Sequence, residues 1–177
     1  MTLAGYVLSI DRADIDTDQI IPAHLLTGVD AAGLGKHLFK GMPGGLELLA
    51  NAHPEADVIV ARANFGCGSS REHAAWSLRD RGFRAVIAPS FARIFHENAY
   101  NNGVAPIVVE EAEIARLMNA GRLDIDLLAE TIGLPDGTNL AFALDPLRKQ
   151  FLLEGGYMEF MAKSVPQVRA WLAGRAA

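Results

Sequence analysis

The sequence predicts an α/β fold built on a largely parallel sheet, and three observations carry that prediction. Short apolar runs rich in β-branched residues, at 57–61, 85–88 and 104–109, have the length and composition of strands buried on both faces. The segments that follow them have helical period, and each is closed by a glycine: Gly82, Gly103 and Gly121. Strand and helix therefore alternate, which is the pattern of a parallel sheet covered by helices.

From the N-terminus, Tyr6 to Ile10 reads as a short strand. An acidic turn, Asp11 to Asp18, and the apolar stop Ile20-Ile21-Pro22 follow. The glycine-rich stretch from Gly28 to Gly45 is expected to be a loop with at most a short helix near Leu34 to Lys40. After the strand Asp57 to Ala61, the residues Ala74, Ala75 and Leu78 share a helical face, and Gly82 is placed to end that helix in a left-handed conformation. Ser90, just beyond the strand Ala85 to Ala88, is a candidate N-cap for a helix with Phe91, Ile94, Phe95 and Ala99 on its stripe. Val104 to Val109 is the next strand, and Ile114, Leu117 and Met118 mark the next helix. Strands near Leu123 to Leu127 and Leu140 to Leu144, then helices near Pro146 to Leu153 and Gln167 to Leu172, complete the pass. With no internal repeat and no linker, residues 1–177 are expected to form a single domain.

Half of the 177 residues are apolar, and the net charge is −5 with arginine and lysine scattered. A surface designed to release counterions from nucleic acid would be basic, so a small metabolite or a protein partner is the better expectation. No apolar run approaches the roughly 20 residues of a membrane span, and the first residues lack a basic segment followed by an apolar one. A cytoplasmic protein with neither membrane nor nucleic-acid partners is expected. The single cysteine, Cys67, excludes an intrachain disulfide and a self-contained iron–sulfur site, which needs several thiolates.

The chemistry concentrates in Gly66-Cys67-Gly68-Ser69-Ser70-Arg71-Glu72-His73, between a strand and a helix. A glycine turn leading into a helix N-terminus presents backbone N–H groups to an anion or a developing oxyanion. Ser69 and Ser70 add hydroxyls, and Arg71 adds a guanidinium fork suited to a carboxylate. A phosphate loop would need a lysine after Gly68, a dinucleotide fingerprint a glycine at 71, and a nucleophile elbow Gly-x-Ser-x-Gly; none is present. Ser69 and Glu72 also have the spacing of a capping box, which is compatible with catalysis. A calcium loop on Asp14, Asp16 and Asp18 fails because Gln19 and Leu25 stand where glycine and glutamate are required.

Asn64 to Ala74, followed by Val86-Ile87-Ala88-Pro89-Ser90-Phe91-Ala92, resembles the swivel domain of the aconitase superfamily. Upstream, Asp16-Thr17-Asp18-Gln19-Ile20-Ile21-Pro22 is similar to the acidic motif of that domain, in the form found in small subunits of the isopropylmalate dehydratases. Asn101 to Ile107 agrees as well, so the resemblance spans nearly the whole chain. It implies a three-layer β/β/α swivelling domain. It gives Ser69 the role of catalytic base on the carbon beside a carboxylate, Arg71 a substrate carboxylate, and Ser70 a second hydrogen bond. Asp18 becomes an orienting carboxylate near the substrate, against the alternative that Asp16, Thr17 and Asp18 only form turn and capping bonds. Ile21 stands where aconitases proper carry serine, and His24 where many dehydratase small subunits carry arginine. These departures, with the segment Leu25 to Lys40, suggest a pocket for an apolar substituent.

The resemblance further implies a small-molecule dicarboxylate substrate and a large partner subunit that carries a [4Fe–4S] cluster, with no cofactor bound by this chain alone. The expected reaction is the isomerisation of 2-isopropylmalate to 3-isopropylmalate by a hydro-lyase. The alternatives are the same chemistry on a dimethylmalate, a citraconate-type alkene or homocitrate, or a non-catalytic anion-binding module. The remaining polar and aromatic residues have plainer readings: Cys67 as a small loop residue, His73 and His96 as structural, His37 and His53 as loop residues without metal spacing. Arg79, Arg81 and Arg84 read as a solvated helix end, and Trp76 and Trp171 as packing or interface residues.

Overall fold

The computed structural model describes residues 2–26 and 31–175, leaving aside the side chains of 174 and 175. Its centre is a seven-stranded sheet of β1 (Thr2–Ile10), β2 (Ala56–Ala61), β3 (Ala85–Ala88), β4 (Ala105–Val108), β5 (Arg122–Asp126), β6 (Thr131–Gly133) and β7 (Asn139–Ala141). The strand order is β4-β3-β2-β1-β5-β6-β7. From β4 to β1 every pairing is parallel, whereas β5 runs antiparallel to β1 and β6 and β7 continue as an antiparallel meander. Chain length explains the change: a parallel crossover needs a helix-sized connection, and the links 127–130 and 134–138 are turns. The expected α/β class therefore holds, with the parallel character concentrated in the half that carries the glycine–serine loop.

The crossovers from β2 to β3 and from β3 to β4 are α3 (Glu72–Arg81) and α4 (Arg93–Asn101). Strand alternation sorts the apolar side chains onto two faces. Ile59, Ala61, Val86 and Ala88 pack with Ala74, Leu78, Phe95 and Ala99 under α3 and α4. Val58, Val60, Ala85 and Ile87 pack with Ile114 and Leu117 of α5 (Glu111–Met118) and with Leu123, Ile125 and Ile132 of the meander. The antiparallel half thus curls over one face while helices cover the other, giving three layers.

Between β1 and β2 lie two α-helices, α1 (Thr17–Ile20), with a capping box from Asp16 to Gln19, and α2 (Gly45–Asn51), and two 3₁₀ turns, Ala23–Leu25 and Gly35–His37. Beyond the sheet come α6 (Pro146–Glu154), capped by Asp145 with proline at its start, then α7 (Tyr157–Ala162) and α8 (Val165–Arg175). No helix among the described residues is long and apolar enough to cross a membrane. Ser90 is not an N-cap: α4 starts three residues later with Ala92 in that position, and the Ser90 hydroxyl accepts the Asn64 N–H instead, at 2.9 Å.

Candidate active site

Parallel strands deliver their connections to one edge of the sheet, and here the C-terminal ends of β1, β2 and β3 bring three segments together. The turn after β1 contributes Asp14 to Asp18, the loop after β2 contributes Asn64 to Arg71, and the loop after β3 contributes Ser90 to Ala92. Backbone bonds stitch them: Asp14 N–H to Ala63 O at 3.0 Å, Gly66 N–H to Ile15 O at 2.7 Å, Thr17 N–H to Cys67 O at 2.9 Å, and Phe65 N–H to Ser90 O at 3.1 Å. Asn64, itself in the left-handed region at φ 61°, donates its side-chain amide to Asp14 Oδ1 at 2.8 Å.

The two glycines of the loop have different duties. Gly66 sits at φ 79°, and a Cβ there would lie 2.2 Å from Cγ of Phe95, a fully packed ring of α4. Gly68, at φ 86°, turns the chain back so that Ser69 meets the start of α1. From there the partners run in step. Asp16 bridges Cys67, the Thr17 hydroxyl brackets the backbone of Ser69, and the Asp18 carboxylate pairs with the buried Nη1 of Arg71.

Of the four residues singled out from the sequence, Ser69, Arg71 and Asp18 are brought onto this one edge, and Ser70 lies between the first two. Ser69 and Ser70 are exposed, and among the described residues neither hydroxyl has a hydrogen-bond partner. Arg71 is largely covered, with 20% of its side chain accessible, while Asp18 stays more than half exposed. The Arg71 guanidinium, and then the Ala23 N–H at 3.1 Å, hold the Asp18 carboxyl below its ordinary value. An ionised Asp18 and a fixed Arg71 beside two unengaged hydroxyls make a surface that can receive a carboxylate and a proton.

Two expectations change. The Ser69–Glu72 capping box is absent: α3 begins at Glu72 with Arg71 as N-cap and no side-chain cap bond. Ser69 lies two residues before that N-cap, too early to cap the helix. Ile21 is fully buried in the core, so its replacement of a serine presents no apolar wall to a substrate; His24 is exposed on the short 3₁₀ turn Ala23–Leu25. Of the segment Leu25 to Lys40, residues 27–30 lie outside the described residues, and Leu34, Leu38 and Phe39 are core. The Cys67 thiol is pushed up by burial and by the charges of Asp16 and Asp14, in keeping with its reading as a small loop residue and the opposite of an activated thiolate. Thr17 is the site residue that the sequence reading undervalued; its only sequence signal is its place between Asp16 and Asp18.

The plainer readings of the other residues accord with their surroundings. His73 packs on Trp76, His96 lies against Phe91 and Tyr100, His53 stacks on Tyr6, and His37 contacts Lys40.

Over residues 1–112 the chain matches the family described as the aconitase C-terminal domain. Its full length is similar to the crystal structure of 3-isopropylmalate dehydratase (leuD) from Methanocaldococcus jannaschii. The two are 33% identical, all of each chain is covered, and the TM-score is 0.79. The family match spans well over half of the residues and includes every segment that forms this edge, so the chain belongs to the aconitase C-terminal domain family.

Proposed function

We propose that this chain is the small subunit of a 3-isopropylmalate dehydratase, a hydro-lyase that isomerises 2-isopropylmalate to 3-isopropylmalate through 2-isopropylmaleate in leucine biosynthesis. The observation that carries the reading is the end-to-end likeness to a 3-isopropylmalate dehydratase at 33% identity, together with Ser69 and Arg71 on one exposed loop. The chain acts as one unit in the cytoplasm, joined to a large subunit and taking a dicarboxylate at the shared face.

The residues present do not fit an iron–sulfur cluster. There is one cysteine, its thiol is raised, and among the described residues no group of three or more His, Cys, Asp or Glu is placed to hold a metal. In this proposal the [4Fe–4S] cluster belongs to the large subunit.

On this side of the reaction, Ser69 Oγ takes the proton from the carbon beside a substrate carboxylate, and Arg71 grips that carboxylate. A serine hydroxyl is an ineffective base unless its alkoxide is stabilised. The Arg71 cation and the N–H groups leading into α3 supply that stabilisation from fixed positions. The Asp18 carboxylate keeps Arg71 in place before substrate arrives, so the guanidinium need not be ordered during binding. Ser70 offers a further hydrogen bond to the same anion.

The direct test is Ser69→Ala in the complex with the large subunit. Turnover of 2-isopropylmalate should fall roughly 10²- to 10⁴-fold, the range set by loss of a positioned base, while co-purification of the two subunits is unchanged. Wild-type turnover by the variant would exclude Ser69 as the base.

A further inference from the structure

We propose that Thr17 is the positioning residue of Ser69, an inference that rests on the function proposed above. Thr17 is 1% exposed, one of the most deeply buried polar side chains among the described residues. Its hydroxyl donates to Ser69 O at 3.1 Å and accepts the Ser69 N–H at 3.2 Å. A hydroxyl has one donor and two acceptor sites, so both bonds form at once. They hold the two peptide groups of a single residue from a point 52 positions away in the sequence. The backbone on both sides of the Ser69 Cα is fixed by them, and the Cα–Cβ vector that aims Oγ is fixed with it.

Thr17 is itself immobilised. Its N–H bonds Cys67 O at 2.9 Å, and its carbonyl accepts the Ile21 N–H at 2.9 Å within the turn of α1. The reversal at Gly68 is what returns the chain to Thr17; a Cβ at that glycine would meet Asp16 Cβ at 3.4 Å and Thr17 Oγ1 at 3.8 Å. Asp16 caps its own helix and Asp18 secures Arg71, so in the run Asp16-Thr17-Asp18 the central residue alone secures the base. With its Cα–Cβ vector fixed, the Ser69 hydroxyl keeps only the staggered positions of one torsion, χ1. Misplacing a reacting atom by about 1 Å costs on the order of 10²-fold in rate.

The test compares Thr17→Val, which keeps the shape and removes the hydroxyl, with Thr17→Ser, which keeps the hydroxyl. In the complex with the large subunit, T17V should lower kcat for 2-isopropylmalate roughly 10- to 100-fold with KM within about twofold, because Arg71 still binds the carboxylate. T17S should retain most of the wild-type kcat. In the isolated chain, amide hydrogen exchange at Ser69 should accelerate in T17V and not in T17S. Unchanged kcat in T17V, or a loss in T17S equal to that of Ser69→Ala, overturns the proposal; so does unchanged exchange at the Ser69 amide. The exchange measurement needs neither substrate nor partner. If the wild-type complex fails on 2-isopropylmalate, the functional reading falls while Ser69 exchange still decides whether Thr17 holds that residue.

Discussion

At the scale of single residues, three neighbours in one short segment hold three neighbours-but-one in another: Asp16 with Cys67, Thr17 with Ser69, Asp18 with Arg71. Each link uses a different interaction, so each fails under different conditions. The Asp18–Arg71 pair is the one that titrates. Because Arg71 and the Ala23 N–H lower the folded-state value of Asp18 below 3.8, its contribution to order is complete above the unfolded value. It is lost as pH falls through the lowered one. Carboxyl NMR titration of the folded chain should therefore place Asp18 below an ordinary aspartate, and Arg71→Gln should return it towards 3.8. A titration unaffected by that change would remove Arg71 as its partner.

At the scale of elements, the loop is a wedge between α1 and α4, and Gly66 is its tightest point. Gly66→Ala meets two penalties: a left-handed backbone that costs an L-residue about 1–2 kcal/mol, and a Cβ 2.2 Å from the Phe95 ring. Phe95 is packed on Phe65 and Phe91, so the ring has little room to retreat. Chemical denaturation should show a loss of at least about 1–2 kcal/mol. A fully stable variant would mean that the loop is looser than its geometry states.

The elements legible in the sequence are those with a sufficient length of uniform period: β1 to β5, α3 with its glycine terminator Gly82, α4, α5, α6 and α8. Those missed are short or carry contrary signals. β6 spans Thr131–Gly133, α7 spans Tyr157–Ala162, and α2 starts at the pair Gly44-Gly45, which reads as loop. The caps assigned to Ser69 and Ser90 fail because α3 and α4 each start later than the serine, at Glu72 and Arg93. The Ser90 hydroxyl is taken by the Asn64 N–H, a partner distant in sequence, and local propensity yields to a tertiary bond. The same cause hid Thr17 itself: its neighbours advertise their chemistry as charge, whereas a buried hydroxyl acquires its role only from what it faces.

At the scale of the molecule, the parallel half of the sheet collects the site at one edge, and the curled antiparallel half closes the opposite layer. Ser69 and Ser70 stand on the exposed surface of that edge, and among the described residues no group of three or more His, Cys, Asp or Glu is placed to hold the metal that the proposed reaction uses. In the proposed function the chain is half of a catalyst. The measurement that bears most directly on this is the rate of 2-isopropylmalate dehydration by the chain alone, by the cluster-bearing large subunit alone, and by the two mixed. Turnover is expected only in the mixture, rising to a plateau as the small subunit saturates the large. Turnover by either chain alone at the rate of the mixture, or none in the mixture with the cluster intact, would contradict it.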